Sequence, residues 1–103
     1  MIIALDYDGT YTADPGLWDK FILDAEEAGH GVVCVTNRAG PGQVNNGTAG
    51  PIAGRVGPAG GIPIVYCNNQ PKRRVMLEQG FAVHVWIDDM PHLVDFGNIS
   101  IRG

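Results

Sequence analysis

Six side chains in this 103-residue sequence carry the types that chemistry needs: Asp6 and Asp8 near the amino terminus, Asp88 and Asp89 near the carboxyl terminus, and Thr36 and Lys72 between them. Carboxylates gathered in one place repel and raise each other's pKa unless a cation joins them. A hard, oxygen-seeking ion answers that need, and Mg²⁺ suits a few carboxylates completed by water and a phosphate. The Lys72 ammonium and the Thr36 hydroxyl are then suited to hold phosphate oxygens. Asp6 and Asp8 are two positions apart, so both face one side wherever the chain stays extended. One carboxylate of such a pair attacks phosphorus while the other moves protons.

Those residues need elements to bring them together, and the sequence supplies them. Residues 2–7 form a short apolar run closed by Asp8-Gly9, which reads as a buried strand. Asp14-Pro15 is a helix start, and Leu17, Phe21, Ala25 and Ala28 recur at helical spacing, so a helix is predicted over 15–28, stopped by Gly29. Residues 31–36 are a second, Val-rich strand ending in Thr36-Asn37-Arg38. Continuous apolar strands indicate a parallel sheet covered on both faces, and strand–helix–strand is the βαβ unit. A third strand is expected over 62–67, a short helix over 71–79, a fourth strand over 83–87 and an edge strand over 99–101. Residues 39–61 are crowded with Gly and Pro, which oppose the crossover helix expected near 43–56. This stretch is read as an irregular or flexible segment inside a single domain spanning 1–103, because it has too few apolar residues for a core of its own. The sum is a small α/β domain with a mostly parallel sheet, whose ligands bind beyond the carboxyl ends of the strands. Asp6, Thr36 and Asp88 all stand at such ends.

Here the pattern resembles a known superfamily. Leu5-Asp6-Tyr7-Asp8-Gly9-Thr10 is similar to the first motif of the haloacid-dehalogenase superfamily, Asp-x-Asp-Gly-Thr after hydrophobic residues. Val33-Cys34-Val35-Thr36-Asn37 resembles the second motif, Lys72 stands where the third-motif Lys comes, and Trp86-Ile87-Asp88-Asp89 resembles the fourth. The resemblance implies a three-layer, Rossmann-like fold of four or five strands, with the first strand central between the second and fourth. It implies a phosphatase, since Asp8 fills an acid/base position that dehalogenases lack. Asp6 is then the nucleophile that forms an aspartyl-phosphate, and Asp8 the general acid and base. Thr36 and Lys72 bind the phosphoryl group, with Gly9 and Asn37 beside the substrate. Mg²⁺ is then held by Asp6, the backbone carbonyl of Asp8, and Asp88 directly or through water, with Asp89 behind these ligands or as an alternative one. The spacing leaves no room for a cap of ordinary size, so an open site is expected, one that takes a small phosphorylated substrate or an exposed terminal phosphate. Capless members often act on large substrates or are completed by oligomer partners, so a homo-oligomer is in keeping with the resemblance. A phosphate- and Mg²⁺-binding regulatory module without turnover, and a phosphotransferase, are the alternatives.

Composition narrows the field further. Seven Lys and Arg against 11 Asp and Glu, a formal charge of −4, argue against long nucleic acids. No apolar stretch approaches the ~20 residues that span a bilayer. Cys34 and Cys67 lie in apolar runs and read as buried free thiols, in keeping with a cytoplasmic, reducing compartment. His30, His84 and His92 lack metal-ligand spacing. Simpler readings stand beside the chemical ones. Asp8-Gly9 also suits a tight turn, Asp88-Asp89 a helix cap, Thr36 a turn closure, and Lys72, Arg38, Arg73 and Arg74 a solvated surface. Tyr11 is weighed between flanking a ligand and packing.

Overall fold

The structure, a computed structural model, describes residues 1–40 and 62–97. Four parallel strands form one sheet in the order β3-β2-β1-β4: β1 is Ile2–Asp6, β2 Gly31–Thr36, β3 Ile64–Tyr66 and β4 Val85–Ile87. The register sets Asp6 opposite Val35, Thr36 opposite Tyr66 and Leu5 opposite Ile87, so all four carboxyl ends meet at one edge. Helix α1, Pro15–Glu27, follows a 3₁₀ turn at Tyr11–Ala13; α2 is Lys72–Glu78 and α3 is His92–Asp95.

Local chemistry accounts for these elements. The Asp14 carboxylate caps α1 by accepting the Leu17 N–H at 3.2 Å, and Pro15 opens the helix. At the other end Gly29 takes φ +91°, which lets Gly29 N–H reach the Glu26 carbonyl and His30 N–H the Ala25 carbonyl. That double closure is the Schellman motif, and it turns the chain directly into β2.

Alternation along the strands divides the core. Ile3, Leu5, Val32 and Cys34 pack with Ile22 and Ala25 of α1 on one face. Ala4, Val33, Val35 and Val65 pack with Met76 of α2 on the other. Burying each such Val, Leu or Ile contributes about 1.5–3 kcal/mol, which is why the strands tolerate no polar residue until their last position. Cys34 and Cys67 are buried and free, as expected. Burial raises the thiol pKa of Cys34 far above its usual range and that of Cys67 to about 11, which keeps both as neutral thiols in the core.

Several boundaries differ from those expected. The third strand is shorter than 62–67 because Pro63 has no N–H to give; its carbonyl accepts from Cys34, and Ile62 makes only an isolated bridge. The fourth begins at Val85 rather than Val83, with His84 N–H already on the Ile2 carbonyl. α3 lies where only the helix-cap reading of Asp88-Asp89 places a helix, and it begins without a side-chain cap. The crossover helix near 43–56, the edge strand over 99–101 and the size of any insertion within 41–61 lie outside the described residues. Among the described residues, no helix is long and apolar enough to cross a membrane.

Candidate functional site

Asp6 ends β1 on the carboxyl edge of the sheet, and its side chain is only 8% exposed. Lys72, the first residue of α2, reaches it from 66 positions away, and its side chain is 1% exposed. Lys72 Nζ donates to Asp6 Oδ1 at 2.7 Å and to Asp88 Oδ2 at 2.6 Å. A lysine this deep persists only because two carboxylates compensate it. Arg73 and Arg74 point elsewhere: Arg73 pairs with Asp95 and lies over the Trp86 ring, and Arg74 bonds Gln70. The adjacent basic residues are thus told apart, and Lys72 is the one in the cluster.

The other Asp6 oxygen is engaged as well. Thr10 Oγ1 donates to Asp6 Oδ2 at 3.0 Å, with Asp89 Oδ1 as a second acceptor at 3.3 Å. The same hydroxyl accepts the Asp89 N–H at 3.1 Å, so it ties the loop after β1 to the loop after β4. Gly9 makes this approach feasible. Its φ is +80°, and a Cβ there would collide with the Asp89 carboxylate. Asp88 Oδ1 accepts the Met90 N–H at 2.9 Å, leaving Oδ2 for Lys72. It caps no helix, for α3 begins after Pro91 with no side-chain cap.

Oxygens of Asp6, Asp88 and Asp89 lie within 4.8 Å of one another. Burial, above all, drives Asp6 up to about 7, with Lys72 opposing and Asp89 and Asp88 reinforcing the rise. Burial lowers Lys72, but the hydrogen bonds and charges of Asp6 and Asp88 outweigh it and leave its pKa raised. Three converging carboxylates against one ammonium leave negative charge uncompensated, and the donors are all oxygen. This donor set fits a hard divalent cation.

Asp8 does not join that trio. β1 stops at Asp6 and residues 7–10 turn, so the extended geometry that would align Asp8 with Asp6 is lost. The Asp8 carboxylate instead accepts both arms of Arg38, from Nε at 3.0 Å and Nη2 at 2.8 Å. The Arg38 guanidinium lies 5.3 Å from the Tyr7 ring centroid. Tyr7 and Tyr11 are stacked and buried with the α1 cluster, and Tyr11 donates to Asp19 at 2.7 Å. Tyr11 therefore packs and does not flank the cleft.

A cleft of about 360 Å³ opens over these groups. Asp6, Asp8, Asp88 and Asp89 line it together with Asn37, Asn69 and Arg38, and Met90 and Leu93 form an apolar side. Thr36 is fully buried beneath, where its hydroxyl accepts the Arg38 N–H at 3.2 Å, and it does not line the cleft. The Asn37 side-chain oxygen is buried and has no hydrogen-bond partner among the described residues. Asn69 was missed by sequence reasoning. Its signal is weak: Asn68-Asn69 follow β3 at φ +50° and +61°, a conformation Asn accepts more readily than most residues. His30 and His84 bond to Met1 and Ile2 at the opposite, amino edge of the sheet.

Comparison with protein-family models, with characterised proteins and with solved structures finds no match for this chain.

Proposed function

We propose that this protein is a Mg²⁺-dependent phosphomonoester hydrolase of the haloacid-dehalogenase type, working through an aspartyl-phosphate on Asp6. The observation that carries this reading is the Lys72–Asp6–Asp88 ion network with Asp89 beside it, at the carboxyl edge of a parallel sheet ordered β3-β2-β1-β4. The order of strands and the position of the cleft agree with the Rossmann-like, three-layer arrangement that the four sequence motifs resemble.

A carboxylate of Asp6 attacks the phosphorus of the ester. The P–O bond to the leaving alcohol breaks, and that alkoxide takes a proton from Asp8. Water then gives its proton to Asp8 as its oxygen attacks phosphorus, the bond to Asp6 breaks, and inorganic phosphate leaves. Lys72 orients Asp6 and offsets the charge that gathers on the phosphoryl oxygens. Asp6, Asp88 and the Asp8 carbonyl would hold Mg²⁺ with Asp89 at its margin, and the ion supplies charge neutralisation there. Gly9 lets the Asp8 loop close on Asp89. Thr36 supports the phosphate site from beneath through the Arg38 backbone, and Asn37 stands in the cleft wall.

The test is release of p-nitrophenol from p-nitrophenyl phosphate with and without Mg²⁺, for wild type and Asp6→Asn. Magnesium-dependent release that drops at least a thousandfold in Asp6→Asn is the expected result. Retained release in the variant removes Asp6 from its role.

One observation favours a second reading. Asp8 is engaged through both oxygens by Arg38, so a protein that binds Mg²⁺ and phosphate without turnover has the same resting geometry. Phosphate binding by calorimetry, with no product released from any ester, would select it.

A further inference from the structure

The Arg38 side chain takes no step in the hydrolysis just described, yet its placement is specific. Among the described residues lining the cleft it is the sole cation, facing four aspartates. Lys72 is buried behind Asp6 and Asp88 and is not among the lining residues. The Arg38 side chain is partly exposed, at 38%, and that of its partner Asp8 more so, at 53%. Their ion pair is therefore solvated and screened, and far less costly to part than a buried one. The Tyr7 face beside the guanidinium is fixed in the core and supports it at 5.3 Å from the ring centroid.

A guanidinium fork that accepts both oxygens of one oxyanion accepts those of another. We propose that Arg38 is the specificity residue of this cleft and that it selects phosphomonoesters carrying a second oxyanion, a carboxylate or a further phosphate, close to the scissile phosphate. The inference rests on the hydrolase reading for its consequence and on the Arg38–Asp8 geometry for its basis. The second oxyanion of the substrate replaces the Asp8 carboxylate on Arg38, one bidentate pair for another. The exchange frees both Asp8 oxygens, which carry no proton to a leaving group while they accept from Arg38. The substrate thus releases the residue needed to cleave it. An ester with no second anion meets four carboxylates and leaves Arg38 on Asp8.

Two matched pairs of probes separate the sources of the oxyanion. Phosphoglycolate against 2-hydroxyethyl phosphate tests a carboxylate, and a nucleoside 3′,5′-bisphosphate against the 5′-monophosphate tests a phosphate. Binding is measured by calorimetry with Mg²⁺ in the Asp6→Asn background, and turnover in the wild type. At least one pair is expected to show a tenfold or greater preference for the doubly anionic member, in affinity and in kcat/KM. Arg38→Met should bring that ratio to within threefold of unity, and Arg38→Lys should keep part of it. Equal affinities within both pairs, or a preference that survives Arg38→Met, overturns the proposal even if p-nitrophenyl phosphate is hydrolysed. An Arg38-dependent preference in binding without any turnover sustains it while the hydrolase reading falls.

Discussion

Two aspartate–cation pairs lie within one cleft and behave as opposites. Lys72 with Asp6 and Asp88 is sealed, at 1%, 8% and 3% side-chain exposure; Arg38 with Asp8 is open, at 38% and 53%. The contact distances are nearly equal, 2.6–2.8 Å for the shortest of each. Distance therefore says little about what either pair contributes. Solvent decides, because the same charges interact several-fold more strongly where water is excluded and cost far more to leave unpaired. The sealed pair is a condition of the fold, and the open pair is an exchangeable contact.

The largest test of that contrast is Lys72→Met. It leaves Asp6 and Asp88 buried and uncompensated, and should cost about 3–5 kcal/mol at neutral pH, read from urea denaturation. Addition of Mg²⁺ should recover part of the loss, since a cation binding the folded form alone stabilises it by mass action. A loss below about 1 kcal/mol would erase the distinction between the two pairs.

A smaller effect belongs to Asp6 itself. Its folded pKa, about 7, stands above its ordinary value of 3.8, so the folded state favours the protonated form. The stability this contributes is complete below pH 3.8 and is lost as pH rises towards 7. In chelator-treated protein, Asp6→Asn should therefore gain stability relative to wild type between pH 4.5 and pH 8, by on the order of 2–4 kcal/mol. A difference between the two proteins that stays constant over that range would mean that Asp6 is ionised throughout.

The smallest effect is assigned to the open pair. Arg38→Met should change the free energy of unfolding by less than about 1 kcal/mol, and by less still at high salt, where the solvated pair is screened. A loss of 2 kcal/mol or more would make Arg38 a structural residue and its exchange with a substrate anion untenable.

The fold was readable wherever one physical cause dominated. Apolar runs at 2–6 and 31–36 became strands because nothing polar interrupts them, and Asp14-Pro15 and Gly29 bounded α1 through their own backbone chemistry. The strand limits near Pro63 and His84 depended on which partner carbonyl was in reach, which is decided only once the sheet has formed. In the site, Asp6, Asp88 and Asp89 came together as their strand-end positions imply, and Lys72 joined them. Asp8 did not, because the chain turns straight after Asp6, and the competition of Arg38 for its carboxylate arises between residues 30 positions apart. The burial of Thr36 and Tyr11 likewise follows from packing that no local pattern encodes.

The position of β1 between β2 and β4 has a consequence for how the chain acquires its structure. β1 and β2 are joined through α1 and lie close in sequence, whereas the contact of Ile2 with His84 spans 82 positions. Such long-range closure slows folding. During synthesis the edge of β1 that β4 covers therefore stays bare until residues 85–87 have been made. An unpaired edge of that kind is a template for association with other chains. A chain cut before residue 85 lacks the strand that covers this apolar edge of β1, so among the described strands β4 is the one that protects β1.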